Sequence, residues 1–406
     1  MRASVMKSLN GALLLDLIRR KGPVSRAELA RLSGLTKPTV SSQVAGLVRR
    51  GLVLEQGAGG AGAAPRAGKP AQMLRFNAAW GLIAGAEIGS SRVRGEVADL
   101  NGAPLDREEA AVRPERGPEA LLETLERSLK EMLARRRSRG RRLLAMVIAA
   151  PGRVDAGTGV VLEAGNLFHW RNVAVRGRFE RAFRTHVAVD NDVNLAVLGE
   201  LHHGVGRGAR NLVLIRLDTG VGAGVVLNGH LYQGSHWAAG EIGHMIFDRD
   251  ARCRWFNERG YLESLVASDV LRERAERGAP SGLTALSGGA DLPGALARAA
   301  ERNDPLAAAI LDDLAANLGM AVANLAAALD PELVVLVGKL FDLVTDRIRE
   351  VAARAIRWPL RIERSSLGDD SVLRGAVSVA CAMAHGRISG RGRKEVSEMI
   401  AREGDL

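Results

Sequence analysis

Residues 243–264, GHMIFDRDARCRWFNERGYLES, bring together side chains that could bind a metal ion, among them His244, Cys253 and Glu263. A structural zinc site is built from four cysteine or histidine ligands. The chain has only two cysteines, and the other one, Cys381, lies far along the sequence. One Cys and one His cannot complete such a site. The segment is therefore a metal site with outside ligands, a degenerate metal site, or a loop that needs no metal.

Basic residues are concentrated at the start of the chain. Residues 1–76 hold 13 Lys/Arg and 3 Asp/Glu, whereas the remaining residues hold 44 and 43. A basic module beside a nearly neutral body is typical of a nucleic-acid-binding domain. A solvated basic face would have the same composition, so the charge alone leaves both interpretations open.

The basic module begins with two predicted helices. Residues 9–22 carry Leu13, Leu14, Leu17 and Ile18 at the spacing of one helical face. The second helix, residues 25–34, starts with an S-x-x-E capping box and ends at a glycine, the residue that a tight turn between helices favours.

A third helix is predicted over residues 35–51, with Thr36 as its N-cap. Its apolar residues fall on one stripe and leave short polar side chains on the outer face near the helix start. Such side chains can reach base edges and phosphates, as a recognition helix requires. The predicted DNA-contacting residues of this helix are Lys37, Thr39, Ser41, Ser42 and Gln43.

Two short strands, residues 52–56 and 72–77, are predicted to flank a glycine-rich loop that carries Arg66 and Lys69. A hairpin with a basic tip is a wing that can contact phosphates or a minor groove. The alternative is a three-helix bundle followed by a linker. Because charge, capping, turn and polar face agree, we predict a winged helix-turn-helix DNA-binding domain over residues 1–76.

The remainder of the chain alternates predicted strands and helices, which indicates an α/β body. A predicted hairpin over residues 80–100 precedes a crossover helix and a buried strand. A second hairpin, over residues 211–229, precedes a long alanine-rich helix and another buried strand. Two successive units of this kind predict two lobes with a cleft between them.

Five segments of the body resemble motifs of the ROK family, which contains bacterial sugar kinases and sugar-responsive repressors. They are AAPGRVD (149–155), GNLFHW (165–170), VDNDVNLAVLGE (189–200), TGVGAGVVLNGHLYQG (219–234) and AAGEIGHM (238–245). The resemblance extends over the whole chain in the repressor branch. It implies an actin-like ATPase, or ribonuclease H-like, α/β fold with two lobes over residues 77–390. Residues 391–406 would form a C-terminal tail.

The resemblance also implies a sugar pocket. Carboxylate, amide and imidazole groups match the hydrogen-bonding needs of sugar hydroxyls. Asp192 matches the catalytic base of the kinases, which in a repressor would only accept a hydrogen bond. An alternative is that Asn191 and Asp192 cap a helix. The implied sugar-binding residues are Asn166, Asn191, Asp192, Glu241, His244 and Glu263.

The phosphate side of the implied cleft departs from the kinase pattern. The loop that reads Asp-x-Gly-Gly-Thr in the family is here Glu-Ile-Gly-Ser-Ser, and an aspartate replaces the first glycine of Gly-Thr-Gly-x-Gly. The adenosine-side loop retains one glycine. Three departures argue against efficient phosphoryl transfer. The degenerate loop positions are Glu87, Gly89, Asp218, Thr219, Gly220 and Gly338.

In the family, the loop at 243–264 binds zinc through a histidine and three cysteines. The three cysteine positions fall here on Arg254, Phe256 and Tyr261. We therefore predict no metal and no cofactor. The aromatic residues would pack together, and Arg254 or Arg259 would pair with acids such as Asp248, Asp250 or Glu258.

The sequence thus predicts a cytoplasmic transcriptional regulator rather than an enzyme. Its partners would be a double-stranded DNA operator, a sugar or sugar derivative and further copies of itself, as a homodimer or tetramer, with no membrane. The family implies repression that the sugar relieves. Two alternatives remain at this stage: a sugar kinase with an appended DNA-binding domain, and a dimerisation scaffold without a ligand.

Overall fold

The computed structural model describes residues 3–56, 72–136, 140–165, 167, 169–248, 259–277 and 291–390. Residues 3–76 form the head, a winged helix with three helices and a three-stranded antiparallel sheet in the order β1-β3-β2. Its elements are α1 (Ala3–Lys21), β1 (Val24–Ser25), α2 (Arg26–Ser33), α3 (Lys37–Arg49), β2 (Val53–Gln56) and β3 (Met73–Phe76). The wing tip with Arg66 and Lys69 lies outside the described residues.

The predicted helix starts of the head are confirmed. Ser25 Oγ accepts a hydrogen bond from the Glu28 N–H at 3.2 Å, and Thr36 Oγ1 accepts one from the Thr39 N–H at 3.4 Å. The prediction for Leu13 is wrong, since that side chain is exposed. The buried face of α1 is centred on Leu14 and Ile18, and Leu13 lies at its edge.

The body contains two lobes with the same strand topology. In lobe 1 a three-stranded meander continues into two parallel strands, giving the order β11-β7-β4-β5-β6. The elements of lobe 1 are β4 (Gly81–Ile88), β5 (Arg92–Ala98), β6 (Pro104–Ala111), α4 (Gly117–Arg136), β7 (Arg142–Ala150), β8 (Arg153–Asp155), β9 (Val160–Glu163), β10 (Arg171–Ala174), α5 (Val175–Phe183), β11 (His186–Asn191) and α6 (Asp192–His203).

Lobe 2 repeats the arrangement in the order β14-β13-β12-β15-β16. The repeated topology confirms the two successive units predicted from the sequence. The elements of lobe 2 are β12 (Leu212–Leu217), β13 (Val221–Leu227), β14 (His230–Leu231), α7 (Glu263–Val266), α8 (Ser268–Arg277), α9 (Leu292–Glu301), α10 (Pro305–Leu329), β15 (Leu333–Val337), α11 (Phe341–Ala355), β16 (Arg361–Arg364) and α12 (Ser371–Ser389).

The helices α6 and α12 lie between the two sheets and form the floor of the cleft. α12 packs on β4 and β7 of lobe 1, and α6 packs on β12 and β13 of lobe 2. Glycines let the two helices touch through their backbones. A Cβ on Gly375 would lie 1.8 Å from the Leu195 oxygen, and a Cβ on Gly199 would lie 2.1 Å from the Ser371 oxygen. A movement of one helix must therefore displace the other.

Among the described residues, α10 has the length and apolar composition of a membrane span. Its inward face, from Ala307 to Ala326, is buried in the core of lobe 2. Packing between this helix and α11 accounts for its apolar composition.

The head is attached to the body at the C-terminal end of α12. The rings of Phe76 and His385 meet edge to face, with their centroids 5.6 Å apart. The Trp80 Nε1–H donates to the Arg50 oxygen at 2.8 Å, and Asn77 Nδ2 donates to the Gly51 oxygen at 2.8 Å. α1 also packs on α12. One helix therefore contacts both the head and the floor of the cleft.

Candidate functional site

Asn191 lies where β11 ends and α6 begins. Its Oδ1 accepts hydrogen bonds from the N–H groups of Val193 and Asn194, at 2.8 and 3.1 Å, and its Nδ2 donates to the Gly152 oxygen at 2.7 Å. The capping role that the sequence offered as an alternative is therefore present. Through its bond to Gly152, Asn191 also connects the loop that follows β7 to the start of α6. This contact helps to position Asp192, the next residue.

Asp192 is the first residue of α6 and lies at the junction of the lobes. Its Oδ1 accepts from the Val193 N–H at 2.9 Å, and its Oδ2 accepts from Arg216 Nη1 at 2.9 Å. Burial raises the pKa of Asp192 to about 6, against the opposing effect of the Arg216 guanidinium. A carboxylate has about four acceptor positions, so Asp192 can still accept hydrogen bonds from a ligand.

Glu241, His244 and Glu263 come together on lobe 2. The Ala223 N–H donates to the Gly240 oxygen at 2.8 Å, which ties the loop of Glu241 to β13. A Cβ on Gly243 would lie 3.1 Å from Glu263 Oε2, so that carboxylate lies against the turn that carries His244. Burial raises the pKa of both glutamates, and the nearby imidazole opposes this effect. The remaining predicted sugar ligand, Asn166, lies outside the described residues.

Asp190 is a buried acid that the sequence reasoning missed. It accepts hydrogen bonds from Asn194 Nδ2 at 2.9 Å and from Gln233 Nε2 at 2.7 Å. Burial raises the pKa of Asp190 to about 6. Because Gln233 follows β14 of lobe 2, this contact joins the lobes beside Asp192. Its position next to the Asn-Asp pair could have drawn attention to it.

Glu87, at the end of β4, is enclosed by two arginines. Its Oε2 accepts from Arg94 Nε at 2.7 Å and also from Arg94 Nη2, and its Oε1 accepts from Arg216 Nη2 at 3.3 Å. Arg94 also donates to the Asp369 oxygen at 2.6 Å. The sequence predicts Glu87 as a position of a degenerate phosphate loop. The structure instead places it in a buried ion-pair network.

Sequence reasoning missed Arg94 and Arg216. Arg216 interrupts a strand that is otherwise apolar, in NLVLIRLDTG, whereas Arg94 shares its strand with Arg92 and Glu96, in RVRGEVADL. The side chain of Arg94 is 3% exposed and that of Arg216 is 12% exposed. A charge on an interior-facing strand position requires a buried partner of opposite charge. This requirement could have identified the two arginines from the sequence.

The other degenerate loop positions form tight turns. The Asp218 N–H donates to the Gly220 oxygen at 2.9 Å, with Thr219 between them, and the Asp218 side chain is exposed. The Gly89 N–H closes the β4–β5 turn on the Arg92 oxygen at 2.9 Å. Gly338 has a φ of +133°, and a Cβ there would lie 2.2 Å from the Leu217 oxygen. The backbone conformation at residue 338 and its contact with Leu217 therefore require glycine, whether or not a nucleotide binds.

On the head, α3 presents Lys37, Ser41 and Ser42 to solvent. Thr39 and Gln43 are half-buried. The Thr39 hydroxyl is 2.9 Å from the Thr36 hydroxyl, and a Cβ on Gly11 would lie 3.3 Å from the Gln43 amide oxygen. Lys37, Ser41 and Ser42 are therefore better placed to contact DNA.

The described residues on either side of the loop that follows His244 pack closely against each other. A Cβ on Gly260 would lie 2.2 Å from the Gly243 oxygen, which explains why this position is glycine. The rings of Phe247 and Tyr261 meet edge to face at 6.3 Å. Arg259 pairs with Asp269, in the first turn of α8, at 2.5 Å. The predicted pairing with Asp248, Asp250 or Glu258 stays a prediction, because residues 249–258 lie outside the described ranges.

Within the described ranges no three His, Cys, Asp or Glu side chains converge as a metal site would require. The predictions for Cys253, Arg254, Phe256, Asp250 and Glu258 fall outside those ranges.

Comparisons with known proteins agree with this architecture. The ROK family matches residues 83–382, and the MarR family matches residues 10–61. The chain is 28% identical over 396 residues to a putative xylose repressor from Caldicellulosiruptor sp. (strain Rt8B.4), covering 93% of this chain and 96% of that protein.

Two solved structures extend the comparison. The fold matches a ROK family transcriptional regulator, described as a homologue of the Escherichia coli Mlc protein, with a TM-score of 0.76, 24% identity and coverage of 97% and 99% of the two chains. The body matches a ROK family glucokinase from Streptomyces griseus in complex with glucose and AMPPNP, with a TM-score of 0.61, 27% identity and coverage of 74% and 99%. The chain belongs to the ROK family, in the branch that joins a winged helix to a sugar-kinase-like body.

Proposed function

We propose that this protein is a cytoplasmic transcriptional repressor that binds an operator through its head and a sugar through the cleft of its body. The relative from Caldicellulosiruptor is named a putative xylose repressor, and the same two-part architecture extends over nearly the full length of both chains. The carboxylates of the cleft suit a polyhydroxylated ligand, because each can accept hydrogen bonds from more than one hydroxyl.

The observation that carries this proposal is that α12 connects the cleft to the head. Its N-terminal half contacts α6 where Gly375 meets Leu195, three residues after Asp192, and its C-terminal end contacts Phe76 through His385. Between these points His203 Nε2 lies 2.7 Å from Ser378 Oγ. Closure of the lobes on a sugar would displace α6, then α12, and then the head.

A dimer would convert this displacement into a change of operator affinity. Two recognition helices must match two half-sites separated by about one helical turn of DNA. A shift of the heads against each other changes that match, and the sugar biases the equilibrium by its different affinities for the two states. The expected sign is release of the operator when the sugar binds.

We also propose that the body does not phosphorylate its ligand. Asp192 and Thr219 are present, as a kinase would require, but Glu87 and Asp192 already bind Arg216. A triphosphate would have to separate these pairs and place its own negative charge beside two carboxylates. A coupled assay for ADP release, with xylose, glucose and N-acetylglucosamine as substrates, tests this point. Turnover that Asp192→Asn abolishes would make the protein a kinase.

The test of the regulatory function is fluorescence anisotropy with DNA from upstream of the protein's own gene. Binding is expected to weaken when one of the same sugars is added. Lys37→Ala should weaken binding at all sequences and reduce the salt slope by about 1, as loss of one phosphate contact does. Lys130→Ala, on the body surface, is the matched control. Absence of sequence-specific binding with and without every sugar would contradict the proposal.

A further inference from the structure

We propose that Arg216 is the positioning residue of the effector site: its guanidinium holds Asp192 as a charged, fixed acceptor for a sugar hydroxyl and makes that role independent of a nucleotide. The inference rests on the proposed sugar-binding function. It assigns a task to a side chain from lobe 2 that acts through a carboxylate of lobe 1.

The geometry of the guanidinium supports this assignment. Arg216 projects from β12, and its two terminal nitrogens reach different carboxylates: Nη1 lies 2.9 Å from Asp192 Oδ2, and Nη2 lies 3.3 Å from Glu87 Oε1. One planar group therefore links the C-terminal end of strand β4, the first turn of helix α6 and the central strand of the lobe 2 sheet. A fork of this shape fixes the orientation of both acids, which a point charge would not do.

The charges of the network are balanced. Glu87, Asp192 and Asp370 contribute three negative charges, and Arg94, Arg107 and Arg216 contribute three positive charges. The side chains of Asp192 and Arg216 are 18% and 12% exposed, so their attraction is only weakly screened by solvent. Other charges that face Asp192 are Glu241, from the loop on lobe 2, and Glu87. Both oppose its ionisation, and Arg216 is the cation that favours it.

The same contacts concern the phosphate half of the cleft, which is the side of Glu87, Asp218 and Gly338. They suggest why Asp192 needs no bound nucleotide to keep its position. In this network the protein itself supplies the cation that neutralises the acids at the lobe junction. Asp192 keeps acceptor positions beyond those that Val193 and Arg216 occupy, and Glu241 lies close enough for its charge to act on Asp192. A sugar hydroxyl can use these positions while Arg216 stays bound to Asp192 and Glu87.

A stability experiment without sugar tests the link between the two residues. In full-length protein, Arg216→Gln leaves Asp192 without its cation and raises its pKa further. The penalty of the variant should therefore grow as pH rises above about 6, since ionisation is then costly in the folded state. We expect its melting temperature to fall relative to wild type by about 5 °C more at pH 8 than at pH 5.5. Adding Asp192→Asn should restore more than half of that loss. Arg361→Gln, an exposed arginine of the same sheet, is the control.

A sugar titration by calorimetry tests the consequence for binding, with xylose, glucose and N-acetylglucosamine as probes. Arg216→Gln should weaken binding about tenfold or more at pH 7, with recovery towards pH 9 as Asp192 ionises. Arg216→Lys keeps the charge and should therefore retain the wild-type pH profile of sugar binding. If the Gln variant does not fold, the sugar titration is carried out with the Lys variant.

A pH-independent stability loss that Asp192→Asn does not rescue would overturn the inference, because it would show a merely structural arginine. Wild-type affinity in Arg216→Gln at every pH would overturn it as well. If the wild-type protein binds none of the sugars, the proposed function fails, and the stability cycle still decides whether Arg216 sets the charge state of Asp192.

Discussion

The two halves of the cleft have kept different parts of one architecture. On the side proposed to bind the sugar, Glu241 and His244 lie in a loop tied to β13, and Glu263, at the start of α7, lies against that loop. On the phosphate half, Glu87 is bound to Arg94 and Arg216 in place of an exchangeable partner. One half leaves acceptor positions open to a ligand, and the other uses its acceptors within the protein.

Under the proposed function, the cleft has lost one ligand without losing its lobes. The floor of α6 and α12 carries both halves, and its glycine contacts do not depend on either ligand. The ion pairs of Arg216 with Glu87 and Asp192 join the two lobes. α12 therefore remains in contact with α6 on the cleft side and with Phe76 of the head at its C-terminal end.

The largest effect is expected from separating the shared floor. Gly375→Val would place side-chain atoms against the Leu195 carbonyl, which a Cβ alone already approaches to 1.8 Å. The helices must move apart, and the free energy of unfolding should fall by about 3 kcal/mol or more. Chemical denaturation measures the change. Gly46→Ala, where no atom lies within 4 Å, is the control and should not destabilise the protein. Equal stability of both variants would contradict a tight floor.

A second comparison contrasts one acid from each half. Asp192→Asn removes a charged acceptor and should lower sugar affinity about 10- to 100-fold. Asp218→Asn, an exposed residue of the phosphate half, should change the affinity by less than about twofold. Calorimetry with the same sugar measures both variants. If Asp218→Asn were the more damaging change, the assignment of the two halves would have to be reversed.

The pH dependence is expected to move sugar binding and stability in opposite directions. Since burial raises the pKa of Asp192 to about 6, the charged acceptor is lost below that pH, and sugar affinity should fall about tenfold per pH unit. In the unfolded chain this carboxyl titrates near pH 4, so the folded state binds more protons between pH 4 and 6.

The contribution of Asp192 to stability is therefore greatest at low pH and is lost as pH rises from about 4 to 6. The measurement is the difference in melting temperature between wild type and Asp192→Asn across this range. A difference that favours wild type increasingly as pH rises would contradict the raised pKa.

The smallest effect is expected at the rim of the sugar half. Asp269→Asn breaks the ion pair with Arg259, which is largely exposed. Such pairs contribute about 1 kcal/mol or less, so sugar affinity should change by less than about threefold. A loss as large as that of Asp192→Asn would mean that the ion pair, rather than the packing around Gly260, holds the loop in place.

The local features of this fold could be predicted from the sequence, whereas its buried charges could not. Ser25 and Thr36 cap helices because capping is decided within four residues of chain, and the two hairpins are visible for the same reason. Arg216 pairs with Glu87 across 129 positions of sequence, and Gln233 with Asp190 across 43. These contacts depend on how the lobes meet. An arginine in an apolar strand, such as Arg216, indicates that a buried acidic partner is needed, but the sequence does not identify which acid it is.

The most direct test of the central claim is operator release measured with and without nucleotide. The full-length protein is bound to labelled upstream DNA and titrated with xylose, glucose or N-acetylglucosamine, first alone and then with magnesium and ATP. The account predicts that one of these sugars, or a related one, changes DNA affinity without nucleotide, and that ATP alters neither the midpoint nor the amplitude. A sugar response that appears only with magnesium and ATP would contradict it.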